Sequence, residues 1–255
     1  MLNEGRVTAT LNQGIATITF FHPQSNSLPG SLLRKLAATV EDAGKNSNVK
    51  VIVLQSEGEK TFCAGASFDE LASIKDLEEG KFFFSGFASV INAMRKAPKF
   101  VIARVQGKAV GGGIGLASSA DYCLAHESSS IKLSELAVGI GPFVVGPAVE
   151  RKMGKAAFTS LAVNAAEWHS SAWAKERGLY ANVFITMDEL DNAVQALAAR
   201  LAASNTEAML QLKKVFWEGT ENWDTLLQQR AEMSGRLVLS DFTRKAIEKF
   251  KAGVR

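Results

Sequence analysis

The chain has 255 residues, 47% hydrophobic and 22% charged, with a formal net charge of +3. That length holds one large domain or a domain with an appendage, and the composition is that of an ordinary globular protein. The small net charge, the scattered Lys and Arg and the lack of any uncharged apolar run of membrane-spanning length argue against nucleic-acid and membrane partners. Met1-Leu2-Asn3-Glu4-Gly5-Arg6 lacks the basic-then-apolar layout of a signal peptide, so the cytoplasm is the expected location. Cys63 and Cys123 match no metal spacing and read as buried thiols.

Val7–Leu11 and Ile15–Phe21 alternate in period two around Asn12-Gln13-Gly14, which predicts a hairpin. Leu28 to Gly44 carries Leu32, Leu33, Leu36, Val40 and Ala43 at helical spacing. Val49–Leu54 reads as a buried strand. Ser67 is placed to cap a short helix, with Glu70 three residues on. Leu77–Met94 predicts a longer helix with Phe83, Phe87, Val90, Ile91 and Met94 on one stripe, and Ala97-Pro98 stops it. Phe100–Val105, Tyr122–Ala125 and Ile131–Leu133 read as strands, and from Gly146 the chain reads mostly as helices. Strands alternating with helices, then a helical tail, predict an α/β core over residues 1–190 and a helical region over 191–255, with no internal repeat visible.

The strand at Phe100–Val105 runs into Gly107-Lys108-Ala109-Val110-Gly111-Gly112-Gly113-Ile114-Gly115, with five glycines in nine residues. Glycine admits φ > 0 and close approach of another group. The helix predicted to follow presents unpaired N–H groups and the positive end of its dipole, a place for an anion or a polarised carbonyl oxygen. A plain strand-to-helix turn explains the glycines equally well. Thr61 to Phe68, containing Phe62-Cys63-Ala64-Gly65-Ala66, offers a second small-residue turn leading into a helix. Two such turns can each aim one N–H at the same oxygen. Ile131 to Pro142 supplies a single carboxylate, Glu135, in apolar surroundings; burial would raise its pKa and suit it to moving a proton, whereas a solvated loop would leave it inert.

In joint order and spacing, Phe62-x-Ala64-Gly65-Ala66, Gly107-x-Ala109-x-Gly111-Gly112-Gly113 with Asp121, and Glu135-x-x-x-Gly139-x-x-Pro142 resemble the crotonase superfamily, the enoyl-CoA hydratase/isomerase family. Gly154-Lys155-Ala156, Ala172 and Gly178-Leu179 extend the resemblance. It implies a crotonase-like (ClpP/crotonase) spiral of ββα units with a C-terminal helical region, assembled as a homotrimer or a dimer of trimers. It implies an acyl-CoA substrate whose thioester oxygen is held by the backbone N–H groups of Ala66 and Gly112, with Ala64 and Gly65 against the CoA adenine. It also implies that Glu135 is the catalytic acid–base. No cofactor or metal is expected, coenzyme A being part of the substrate; Leu116 breaks a Gly-x-Gly-x-x-Gly pattern, and no P-loop occurs.

Family hydratases typically carry a second glutamate two residues after the Gly-Gly-Gly run, where this chain has Gly115. A single carboxylate suffices to move a proton between two carbons of one acyl chain, which tilts the expectation toward 3-enoyl to 2-enoyl isomerisation. Hydration, as in methylglutaconyl-CoA hydratase, and non-catalytic acyl-CoA binding are the alternatives. Asp69 and Glu70 read as a solvated helix face. Phe143-Val144-Val145-Gly146 holds no carboxylate nucleophile. Without a Gly-x-Ser-x-Gly elbow, His22, His126 and His169 read as surface or capping residues. Leu71, Phe83, Phe87, Phe143 and Val144 are candidates for the acyl pocket, and the four tryptophans for packing.

Overall fold

The computed structural model describes residues 5–251; Met1–Glu4, part of the N-terminal segment read above, lie outside it.

 The chain opens with a hairpin, β1 (Arg6–Asn12) and β2 (Ile15–Phe21), turned through Gln13 and Gly14 at φ 49° and 79°. Both central residues are left-handed, as the tightest hairpin turns require. Helix α1 (Gly30–Lys45) follows and buries Leu32, Leu33, Leu36 and Val40. Next come β3 (Val51–Ser56), β4 (Thr61–Cys63), α2 (Phe68–Ser73) and α3 (Leu77–Lys96). Then β5 (Phe100–Val105), β6 (Lys108–Val110) and α4 (Gly112–Ser119) precede β7 (Tyr122–His126) and β8 (Ser130–Lys132). The remainder is α5 (Gly146–Met153), α6 (Lys155–Val163), β9 (His169–Ser170), α7 (Ser171–Glu176), β10 (Asn182–Phe184), α8 (Met187–Ala202), α9 (Thr206–Phe216), α10 (Trp223–Leu237) and α11 (Asp241–Lys251).

Two sheets result. One has six strands in the order β1-β2-β3-β5-β7-β10, and the other has four in the order β4-β6-β8-β9. Successive strand pairs β3–β4, β5–β6 and β7–β8 each place one strand in the large sheet and the next in the small one. The chain therefore winds as a spiral of ββα turns, as the resemblance implies. This is a repeat of backbone path that the side chains do not echo, so no repeat is visible in the sequence. β4, β6, β9 and β10, two or three residues each, also escape the sequence reading. Runs that short carry too few side chains to display a period.

Between the large sheet and the helices α1 and α3 lies the main core, which includes Ile18, Phe20, Leu33, Leu36, Leu54, Val90 and Met94. α8 covers the other face of that sheet, burying Leu190, Val194 and Ala198 with Val51, Val53 and Ile102. α3 runs unbroken through Gly86, where α1 packs close: a Cβ there would stand only 3.0 Å from the Leu33 side chain. α10 lies along α3 just as closely: a Cβ on Gly80 would come within 2.8 Å of the Gly235 backbone. Cys63 and Cys123 are free and buried, and burial pushes both thiols up to about 12. No described helix is long and apolar enough to cross a membrane.

α9 is tied to this body by a buried ion pair. Lys213 Nζ lies 2.6 Å from Asp121 Oδ2 and also donates to the Met94 carbonyl at 2.9 Å. Asp121 further accepts from the Val101 amide at 2.7 Å and from Trp217 Nε1 at 2.8 Å. Every lone pair in use faces a donor, the condition under which a buried charge is tolerated. Lys213→Met leaves the Asp121 charge buried without its cation. It is expected to lower unfolding stability by about 3–5 kcal/mol, read from urea denaturation, and Asp121→Asn in the same chain is expected to recover part of the loss.

Candidate active site

Three segments converge beside the N-terminus of α4. The first is the turn after β4. Leu28 pairs with Ala66 as an isolated parallel bridge, the Leu28 amide donating to the Gly65 carbonyl at 2.8 Å and the Ser67 amide to the Leu28 carbonyl at 3.3 Å. In a parallel bridge the middle residue turns its own N–H to the opposite side, so the Ala66 N–H faces away from Leu28. Gly65 makes the bend at φ 86°, and a Cβ there would meet the Val110 carbonyl at 2.8 Å and the Gly112 nitrogen at 3.4 Å. Ser67 caps α2 as its spacing predicts, accepting from the Glu70 amide at 3.4 Å.

The glycine run forms the second segment. Gly111 precedes α4 at φ 51° and ψ −116°, a backbone shape closed to residues with a side chain. Its amide donates to the Lys132 carbonyl at 2.9 Å. Gly112 opens the helix, where an N–H has no acceptor within the helix itself. Neither the Gly112 nor the Ala66 N–H has a backbone acceptor among the described residues, and both residues line one cavity. Close packing explains the glycines: a Cβ on Gly112 would overlap the Phe87 ring, and one on Gly113 would stand 2.9 Å from Cys63 Cβ.

Glu135 comes from the third segment, the residue before a 3-10 turn at Leu136–Val138. Its carboxylate lies over Gly111, with Oε1 only 3.0 Å from where a Cβ on that glycine would be. Oε2 is shielded from solvent and has no hydrogen-bond partner among the described residues. Burial pushes the Glu135 carboxyl up to about 7, opposed weakly by a hydrogen bond from its own backbone. The structure therefore supports the buried alternative over the solvated loop.

The cavity these segments enclose measures about 60 Å³. Its apolar walls come from Phe68 and Leu71 near α2, Phe84 and Phe87 on α3, and the stretch Phe143–Val145. Phe83 does not reach it and Phe84 does; both lie one turn from Phe87 on α3, so helical spacing alone does not choose between them. Ser234 on α10 also lines the cavity, and nothing local in the sequence marks it.

Asp69 and Glu70 stay outside this cavity. Asp69 is exposed, pairs with Lys251 at 2.8 Å and accepts from Gln24 at 2.7 Å, while Glu70 accepts from the Gly30 amide at 2.7 Å. Of the three histidines, read as surface or capping residues, two are buried, and His22 caps its turn. His22 is buried in the turn it braces, its Nδ1 accepting from the Gln24 amide at 3.3 Å, and His169 is buried against the Trp173 ring. The tryptophans divide: Trp223 is buried, whereas Trp168 is exposed between Lys108 and Lys132. No group of three or more His, Cys, Asp or Glu able to hold a metal ion occurs among the described residues.

A carboxyl whose folded pKa is raised favours folding while it is protonated. That contribution is complete below its unfolded value of 4.5 and is lost as pH rises through about 7. Glu135→Gln mimics the neutral form at all pH. Urea denaturation is expected to find the variant and the unmodified protein alike near pH 4.5, and the variant more stable above pH 7.

The enoyl-CoA hydratase/isomerase family model matches residues 10–252. YngF of Bacillus subtilis (strain 168), a relative of the enoyl-CoA hydratase/isomerase type, is 32% identical over 219 residues, 82% of this chain and 80% of YngF. The short-chain-enoyl-CoA hydratase of Clostridium acetobutylicum is 26% identical over 239 residues, 92% of this chain and 90% of its own. The crystal structure of enoyl-CoA hydratase from Bacillus halodurans matches with a TM-score of 0.87 at 20% identity, covering 95% of this chain and 98% of that one, a likeness of fold. With the spiral fold and a family match over nearly its whole length, this chain belongs to the enoyl-CoA hydratase/isomerase family of the crotonase superfamily.

Proposed function

We propose that this protein isomerises a 3-enoyl-CoA to a 2-enoyl-CoA, with Glu135 carrying the proton. The amides of Ala66 and Gly112 hold the thioester oxygen, and the backbone at Ala64 and Gly65 contacts the CoA moiety. Ionised Glu135 removes a proton from C2 of the acyl chain. The electron pair left behind delocalises through the C3–C4 double bond and onto the thioester oxygen. Protonated Glu135 then returns the proton to C4, and the double bond moves to C2–C3. Atoms balance without water or any further reactant. Each N–H aimed at the developing oxyanion contributes roughly 3–4 kcal/mol of barrier lowering.

One observation carries the reading: Glu135 is the single carboxylate among the described residues that line the cavity. Its raised pKa suits the task. A base near neutrality is ionised often enough to accept a proton and acidic enough to give it back. The cavity is small and walled by apolar side chains, which fits a short acyl segment beyond the thioester. Hydration is the second reading, favoured by the names of the relatives.

Supplying a 3-enoyl-CoA is expected to yield the conjugated 2-enoyl-CoA, followed by its ultraviolet absorbance. Glu135→Gln is expected to lower kcat by roughly 10²–10⁴-fold while substrate binding persists. The base must be ionised in the free enzyme, so kcat/KM is expected to rise with pH around a midpoint near about 7. Turnover that survives Glu135→Gln removes its role. Efficient conversion of a 2-enoyl-CoA to the 3-hydroxyacyl-CoA by the unmodified protein replaces isomerisation with hydration.

A further inference from the structure

Gly115 sits inside α4, yet it does not line the cavity; Val145 does. A Cβ built on Gly115 would overlap Val145 Cγ1 and stand 2.8 Å from Val145 Cβ, while Val145 Cα is 3.7 Å away. The isopropyl group thus stands between the Gly115 backbone and the cavity. It is buried, and its backbone is pinned on both sides: the Gly146 amide donates to the Pro142 carbonyl at 2.8 Å, and the Val149 amide to the Val145 carbonyl at 3.1 Å. On the other side, Ser119 Oγ donates to the Gly115 carbonyl at 2.7 Å.

We infer that Val145 is a specificity-determining residue: packed on Gly115, its side chain fills the space from which a second carboxylate, or a water bound to one, would reach the acyl chain. The inference rests on the reading of Glu135 as the proton carrier. A water in a small cavity needs polar partners, and an isopropyl wall provides none. The dienolate left when the C2 proton goes to Glu135 therefore takes that proton back at C4, and no water is held beside C3 of the conjugated product. Gly115 and Val145 are a complementary pair, so that a side chain is admitted at one only when the other gives way. Alanine at 145 would keep the Cβ 2.8 Å from a Cβ at 115; only glycine removes the obstruction.

The test compares Gly115→Glu, Val145→Gly and the two combined in the full chain, with four-carbon 2-enoyl-CoA as the probe and formation of 3-hydroxyacyl-CoA as the readout. Thermal melts accompany each variant. Gly115→Glu alone is expected to melt lower than the unmodified protein and to hydrate no faster. The combined variant is expected to hydrate at least about 10²-fold faster than either single one, the lower range for an added acid–base group. Gly115→Glu that melts normally and hydrates as fast as the combined variant overturns the inference. So does a folded combined variant that hydrates no faster than the unmodified protein. If the combined variant does not fold, Gly115→Ser with Val145→Gly decides: its hydroxyl is a polar partner for a water in the space the isopropyl group leaves, so faster hydration than Val145→Gly alone supports the water-excluding role, and hydration no faster than that overturns it. Failure of the Glu135 reading is seen separately, as isomerisation that survives Glu135→Gln, and leaves the comparison at 115 and 145 intact.

Discussion

The site depends on one steric constraint: three chain segments meet where there is no room for side chains. Gly111 lies under the Glu135 carboxylate, Gly112 against the Phe87 ring and Gly113 against Cys63. Any Cβ at these positions would push the turn after β4, the start of α4 or the Glu135 segment out of place. The close approach sets two exposed N–H groups and one buried carboxyl around a small apolar cavity. It also dries the carboxyl, which is what raises its pKa. Proton affinity at Glu135 and backbone geometry at Gly112 are therefore two results of the same packing.

Much of this was legible in the chain. The hairpin, the longer helices and the strand Phe100–Val105 follow from periods of two and 3.6, and Ser67 announces its helix by its spacing to Glu70. The convergence of Ala66, Gly112 and Glu135 on one cavity was readable from small-residue turns and from family resemblance, because backbone brought close to other chain segments leaves a glycine signature. The spiral was not legible from the residues alone, since β4, β6, β9 and β10 are too short to show a period. Contacts between distant segments were hidden for a different reason. Val145 facing Gly115, Ser234 reaching the cavity from α10 and Lys213 meeting Asp121 all depend on helices crossing, and no local pattern encodes a crossing.

Gly115 illustrates how an absence in sequence becomes a presence in structure. Read along the chain, it is a position lacking a carboxylate. In the folded protein it is the seat of the Val145 side chain, which is itself part of the cavity wall. A missing functional group and an apolar surface are then one feature.

The contact of Gly80 with Gly235 has a mechanical consequence. Two helices that approach backbone to backbone leave no side-chain layer between them, so α3 and α10 form one close-packed wall. Phe84, Phe87 and Ser234 project from it into one wall of the cavity. Across the cavity, α2 is six residues long, buries a single side chain, Leu71, and is tied down through Ser67, Asp69 and Glu70, so that wall is held by polar bonds where the other is held by backbone contact.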